Sequence, residues 1–226
     1  VWGKYVNCGQ TCIAPDYLLV DESIKAPLLK ALVEEIKSAY GEDASASHSY
    51  GRIAHQKHFD RLVNLIKGSE LVYGGDSDSK SRYLGPTILE VKDTKHPTMA
   101  EEIFGPILPV LTYSNESELE PIIDSFERPL GFYIFSKRKK FIKEMFERYS
   151  YGGGVANDTM IQFANDRLPF GGVGHSGMGA YHGQHSFDAF THFKPFIKRG
   201  TWTDPFVRYA PYPTSFNWLK KLLNLI

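Results

Sequence analysis

The chain has 226 residues, 42% of them hydrophobic and 23% charged, which suits one sizeable globular domain with an appendage. Its 26 basic and 26 acidic residues cancel, and the lone basic cluster, Lys137-Arg-Lys-Lys140, opens a helical pattern as a solvated face, so a nucleic-acid partner is not expected. No apolar run reaches the ~18 residues of a membrane span, and no signal peptide is visible.

In chain order, Val1-Trp-Gly-Lys-Tyr-Val6 reads as the middle of an element, so the chain is expected to be a piece of a longer protein. Asn7-Cys-Gly-Gln-Thr-Cys12-Ile-Ala-Pro-Asp16 then carries both cysteines. They supply no disulfide framework and are not spaced Cys-x-x-Cys, and the eight histidines lack paired ligand spacing, so no metal site is expected. The setting this suggests is a reducing, cytoplasmic one.

Tyr17–Val20 reads as a buried strand, with Ser23 as cap of the next helix. In that helix Leu28, Leu29, Leu32, Val33, Ile36 and Tyr40 recur at helical spacing until Gly41. A second helix carries Phe59, Leu62, Val63, Leu65 and Ile66 and ends at Gly68. Short strands follow at Leu71–Tyr73, in the extended run Tyr83–Val91, and at Ile107–Tyr113. Glu116–Phe126 reads as a short helix and Gly131–Phe135 as a strand. Phe141, Met145, Phe146 and Tyr149 mark a helix that Gly152-Gly-Gly154 terminates, before a strand at Val155–Asn157. Such alternation predicts an α/β fold: a three-layer, open, largely parallel sheet with helices on both faces.

Beyond Thr159 the pattern changes. Five glycines fall between Gly171 and Gly179, in a loop able to bring its backbone close to another surface. Gly172-x-Gly174-x-x-Gly177 matches a dinucleotide fingerprint in letters only, because no β-run leads through it into a clear helix. Phe187–Ile197 is expected to contain a further strand that leaves the domain. Trp218–Ile226 reads as an amphipathic tail that packs on protein, with membrane docking disfavoured by its short length.

Core packing is the competing reading for either thiol, because cysteine is among the most buried residue types. Polar, glycine-containing surroundings favour a reactive role for Cys12. Gly9-Gln10-Thr11-Cys12 resembles the nucleophile motif of the aldehyde dehydrogenase superfamily, and the longer Asn7-x-Gly-Gln-Thr-Cys-x-Ala-Pro-Asp-Tyr17 is similar to its class 3 branch. Glu101-Glu-Ile-Phe-Gly-Pro106 contains a second family motif. The run Pro169-Phe-Gly-Gly-Val-Gly-x-Ser-Gly-Met-Gly179, with Tyr181-His-Gly183, resembles the class 3 loop that closes over the substrate tunnel. The motifs stand in family order, and the likeness runs from Trp2 to about Tyr212.

The resemblance implies that Cys12 is the nucleophile, that Glu102 accepts from the nicotinamide ribose and that Phe104 packs beside the nicotinamide of NAD or NADP. It implies that Met160, Phe163 and Phe170 line an apolar mouth for hydrophobic aldehydes and that Asn157 buttresses the cysteine loop. His182 is expected to be a hydrogen-bonded structural residue near the pocket. The family's general-base Glu and oxyanion Asn lie upstream of the cysteine. Residues 1–185 are therefore expected to form the catalytic domain and 186–226 an extended oligomerisation segment of a homodimer, without the N-terminal dinucleotide-binding domain. Two other readings are a stand-alone Cys/His thiol hydrolase and a non-catalytic assembly fragment. Cys8 is either ordinary packing or a thiol that caps Cys12 on oxidation.

Overall fold

The computed structural model describes residues 1–204, 208–212, 217 and 221. It divides into two compact units, Val1–Phe190 and Thr191–Ile226. The tail expected at 218–226 lies outside the described residues, apart from Lys221.

The first unit is built on a four-stranded sheet. Its strands are β1 (Leu18–Asp21), β2 (Leu71–Tyr73), β5 (Thr87–Val91) and β6 (Ile107–Tyr113). β1 runs parallel to β6 and β6 parallel to β5, while β2 closes the edge antiparallel. In β5 and β6, Thr87, Ile88, Leu89, Ile107, Leu108, Pro109, Val110 and Leu111 are buried at consecutive positions. Successive side chains of a strand point to opposite faces, so this pattern requires cover on both sides of the sheet.

Two helices contribute to that cover. α2 (Glu22–Tyr40) buries Leu29, Ile36 and Tyr40, and α3 (Gln56–Leu65) buries Phe59 and Leu62. The cap of α2 is Asp21, whose Oδ1 accepts from Ser23 N at 2.9 Å; Ser23 is inside the helix and is not the cap expected of it. A carboxylate also suits the positive end of the helix dipole. Ahead of the sheet, α1 (Trp2–Tyr5) is anchored by the buried Tyr5 hydroxyl, which donates to Thr87 O at 3.1 Å.

Two smaller strand pairs stand apart from the main sheet. β3 (Ser77–Asp78) and β4 (Tyr83–Leu84) are antiparallel, and β7 (Gly131–Ile134) pairs in parallel with β8 (Gly153–Ala156). Two short helices, α4 (Leu119–Asp124) and α5 (Lys139–Arg148), precede β7 and β8 respectively. Gly153 and Gly154 turn out to be strand residues instead of a helix stop. A Cβ on Gly154 would lie 2.6 Å from Phe146 Cε1, so the glycine lets the aromatic face of α5 lie directly on the strand. Phe132 packs there against Phe146 and Tyr151, at 5.9 and 5.3 Å between ring centroids.

The strand expected within Phe187–Ile197 is not formed. α6 (Gly183–Ala189) takes its first residues, and 191–200 carry no regular structure. Strand formation needs a partner edge, which the sequence pattern of a single strand cannot supply.

Candidate active site

After α1 the backbone takes three successive left-handed residues, Asn7 (φ 53°), Cys8 (φ 55°) and Gly9 (φ 69°). Such a turn is costly for a residue with a Cβ, and local hydrogen bonds must hold it. Asn7 Nδ2 donates to Gln10 O at 3.0 Å, and Gln10 Nε2 donates to Asn7 O and Arg52 O, each at 3.1 Å. Gln10 Oε1 accepts from Ala54 N at 2.9 Å, fastening the loop to a second segment. A Cβ at Gly9 would sit 2.3 Å from Gly105 O, so only glycine allows the cysteine loop to touch the Glu102–Pro106 stretch.

This turn separates the thiols. Cys8 is fully buried in the core, while Cys12, at the outer side of the following turn, is exposed. Burial pushes the Cys8 thiol up to about 11, against the lowering influence of the Tyr50 hydroxyl and Arg52. A protonated, enclosed thiol is a poor nucleophile, so Cys8 is packing and not a redox partner poised at the surface.

On one side, the cysteine loop is tied to the late chain by Tyr133. Its hydroxyl donates to Ile13 O at 2.7 Å and accepts from Gln162 Nε2 at 3.1 Å. Burial raises the Tyr133 phenol, and a negative charge on Cys12 would raise it further. Tyr133 and Gln162 therefore support the cysteine loop from this side. Asn157 Oδ1 accepts from Ser136 N at 2.8 Å, just past β7. Met160, left-handed at φ 64°, redirects the chain into the turn that carries Gln162 and Phe163.

Phe163, Phe170, Tyr181 and His182 form one aromatic cluster. Phe163 lies 5.1 Å from both Phe170 and His182, and Tyr181 lies 4.8 Å from His182, between ring centroids. Phe170 and Tyr181 exchange two backbone hydrogen bonds, of 2.8 and 2.9 Å, which pin the two ends of the glycine-rich loop together. The close backbone approach expected of that loop is made within it: a Cβ on Gly171 would lie 2.1 Å from Gly179 O. His182 departs from expectation, because no group of the described residues bonds its buried Nδ1; its ring is held by stacking.

On the other side lies a charged set. Lys4 is buried, and its ammonium is pushed down to about 8 by desolvation, opposed by the fields of Asp16 and Glu102. Asp16 is raised by burial, with Lys4, a hydrogen bond from Ile103 N at 3.0 Å and Arg61 opposing. Glu102 is raised by partial burial and by Asp16, with Lys4 and Arg61 opposing. Phe104, left-handed at φ 51°, is 37% exposed as a residue beside this set. An accepting carboxylate next to an open aromatic face fits the sugar and ring of a nicotinamide nucleotide.

Residues 1–196 match the profile described as the aldehyde dehydrogenase family. The chain belongs to that family. It is 45% identical to aldehyde dehydrogenase family 3 member A2 of Mus musculus over 98% of its length, covering 46% of that protein. It is 44% identical to 4,4'-diaponeurosporen-aldehyde dehydrogenase of Staphylococcus aureus, over 97% of this chain and 48% of the relative. The solved substrate-bound state of Staphylococcus aureus AldH superposes with a TM-score of 0.89 at 43% identity, over 98% of this chain and 49% of that one. The chain thus spans about half the length of these members of the aldehyde dehydrogenase family.

Within that family frame, Gln10, Tyr133, Gln162 and Lys4 are the site residues that sequence reasoning missed. Gln10 lay inside a recognised motif, and its neighbour Asn7 was a signal for a left-handed turn. Tyr133 and Gln162 carried none, because a tyrosine in a strand and a glutamine in a loop are ordinary.

Proposed function

We propose that Cys12 is the nucleophile of an NAD(P)-dependent oxidation of apolar aldehydes to carboxylic acids. The Cys12 thiolate adds to the aldehyde carbon, giving a thiohemiacetal whose oxyanion takes hydrogen bonds, one of them from the backbone N–H at Cys12. A bound dinucleotide would supply the acceptor for the hydride leaving that carbon. A thioester to Cys12 remains, and water hydrolyses it to the acid and the free thiol. Glu102 would hold the nicotinamide ribose through its hydroxyls, and Phe104 would lie along the ring. Two solved structures similar to this chain are complexes, one with NADP and one with nicotinamide adenine dinucleotide.

The observation that carries this reading is the double attachment of an exposed Cys12 loop. Gly9 abuts Gly105 on the Glu102 side, and Tyr133 bonds both Ile13 O and Gln162 on the apolar side. Among the described residues no histidine hydrogen-bonds Cys12, so nothing favours a Cys/His hydrolase.

The exposed Phe190, Phe193, Phe196 and Ile197 support pairing with a second copy of the chain as a homodimer. Light scattering that finds only monomer at high concentration would count against the pairing.

In the full-length protein, Cys12→Ser should lower kcat by about three orders of magnitude or more with little change in KM. Turnover that survives this change overturns the assignment.

A further inference from the structure

The Glu102–Phe104 stretch is held from behind by one face of α3. Arg61 Nη2 donates to Ile103 O and, at 3.4 Å, to Glu102 O, while Nη1 meets Glu101 Oε1 at 2.7 Å. Arg61 Nε lies 3.4 Å from His58 Nδ1, and His58 Nε2 lies 2.7 Å from Phe104 O. The guanidinium can only donate, so His58 Nδ1 accepts and the proton sits on Nε2, pointing at Phe104 O. Three consecutive carbonyls, at 102, 103 and 104, therefore take their hydrogen bonds from two side chains of a single helix. The spacing of three puts both side chains on one face.

That arrangement sits where the backbone needs it. Phe104 is left-handed, a conformation that a bulky side chain holds only when its surroundings over-determine it. Without a donor at its carbonyl the peptide is free to rotate, and the ring swings with it. The His58 ring also lies 6.2 Å from the Phe104 ring, and Leu62 of the same helix lies against Gly105. Both residues lie outside the three sequence motifs, and neither needs to touch the dinucleotide.

We propose that His58 and Arg61 are positioning residues for dinucleotide binding: they fix the Glu102–Phe104 backbone so that the carboxylate and the ring are preset for the nicotinamide ribose and nicotinamide. The inference rests on the function proposed above. It adds that the cofactor contact is organised from α3 through main-chain carbonyls, independently of the thiol.

The test uses the full-length protein, with NAD and NADP titrated calorimetrically in the absence of aldehyde. His58→Phe keeps a ring but loses the donor, whereas His58→Gln keeps a donor that can reach the carbonyl. The first should weaken dinucleotide binding about tenfold and the second should stay within about twofold of the parent. Arg61→Lys, which keeps the charge near Glu101 but not the fork, should weaken binding in the same way should His58→Phe fail to fold. Aldehyde KM and the rate at which iodoacetamide alkylates Cys12 should stay unchanged in all three. Equal binding by His58→Phe and the parent, no rescue by His58→Gln, or a matching loss of thiol reactivity overturns the proposal. Failure of the parent itself to bind either dinucleotide would instead sink the dehydrogenase reading.

Discussion

The two flanks of the cysteine loop are built from different materials. The Glu102–Phe104 flank is fixed by directional polar contacts: Asp16 on Ile103 N, the hydrogen bonds from α3, and a buried Lys4 within the field of two carboxylates. In the Met160–His182 flank the side chains meet mainly through ring contacts of about 5 Å, beside the Phe170–Tyr181 backbone pair, and two of its buried polar atoms, Gln162 Oε1 and His182 Nδ1, have no hydrogen-bond partner among the described residues. Hydrogen bonds reward one geometry, whereas apolar contact is nearly indifferent to orientation. The first flank suits a ligand that never varies, and the second suits a range of apolar chains.

The contact between loop and polar flank is the place where that contrast breaks most easily. Gly9→Ala puts a methyl group 2.3 Å from Gly105 O at a φ of 69°, so the two backbones must part. A loss of roughly 3 kcal/mol is expected, with reduced alkylation selectivity at Cys12. Urea unfolding of the full-length variant measures it; a loss under about 1 kcal/mol would mean the contact is loose.

The apolar flank should answer to smaller changes, and only in substrate. Phe170→Ala removes a ring that touches Phe163, Tyr181 and His182. KM for a long-chain or aromatic aldehyde should rise about tenfold while the dinucleotide constant stays put. A parallel rise in both constants would show that the flanks are not independent. Tyr133→Phe deletes the bond to Ile13 O and the acceptor for Gln162, for a loss of about 1 kcal/mol and a few-fold drop in kcat/KM. An unchanged kcat/KM would remove Tyr133 from the positioning of the cysteine loop.

Legibility in the sequence follows the same division. The α/β alternation was readable, because buried strands such as Ile107–Leu111 and the stripe Leu29, Ile36, Tyr40 carry periodicity. Gly153 and Gly154 misled, since a glycine run resembles a helix stop when the ring it accommodates lies elsewhere in the chain. Motif residues were readable as types but not as partners. Asn157 bonds Ser136, and the cysteine loop rests on Tyr133, 120 positions away from Ile13. Long-range hydrogen bonds leave no periodic trace, so this support is visible only in the folded chain.

The comparison is sharpest within one loop: two thiols, one exposed beside the site and one facing the core. Iodoacetamide at pH 8 should modify Cys12 in the folded protein and reach Cys8 only after unfolding. Titration gives an independent check. The Cys8 thiol, ordinarily at 9.0, is held up to about 11 by burial, so the folded protein keeps a proton that the unfolded chain releases in that interval. The contribution is complete below about 9 and disappears as pH climbs through about 11, and it amounts to roughly 3 kcal/mol. Cys8→Ala lacks it, so the stability gap between parent and variant should narrow from pH 8 to pH 11. Tyr40 and Tyr50 feel the Cys8 charge, so their own titration moves with it and forms part of the difference. A gap independent of pH would mean that Cys8 is open to solvent, and the turn at Asn7–Gly9 would no longer separate a reactive thiol from a structural one.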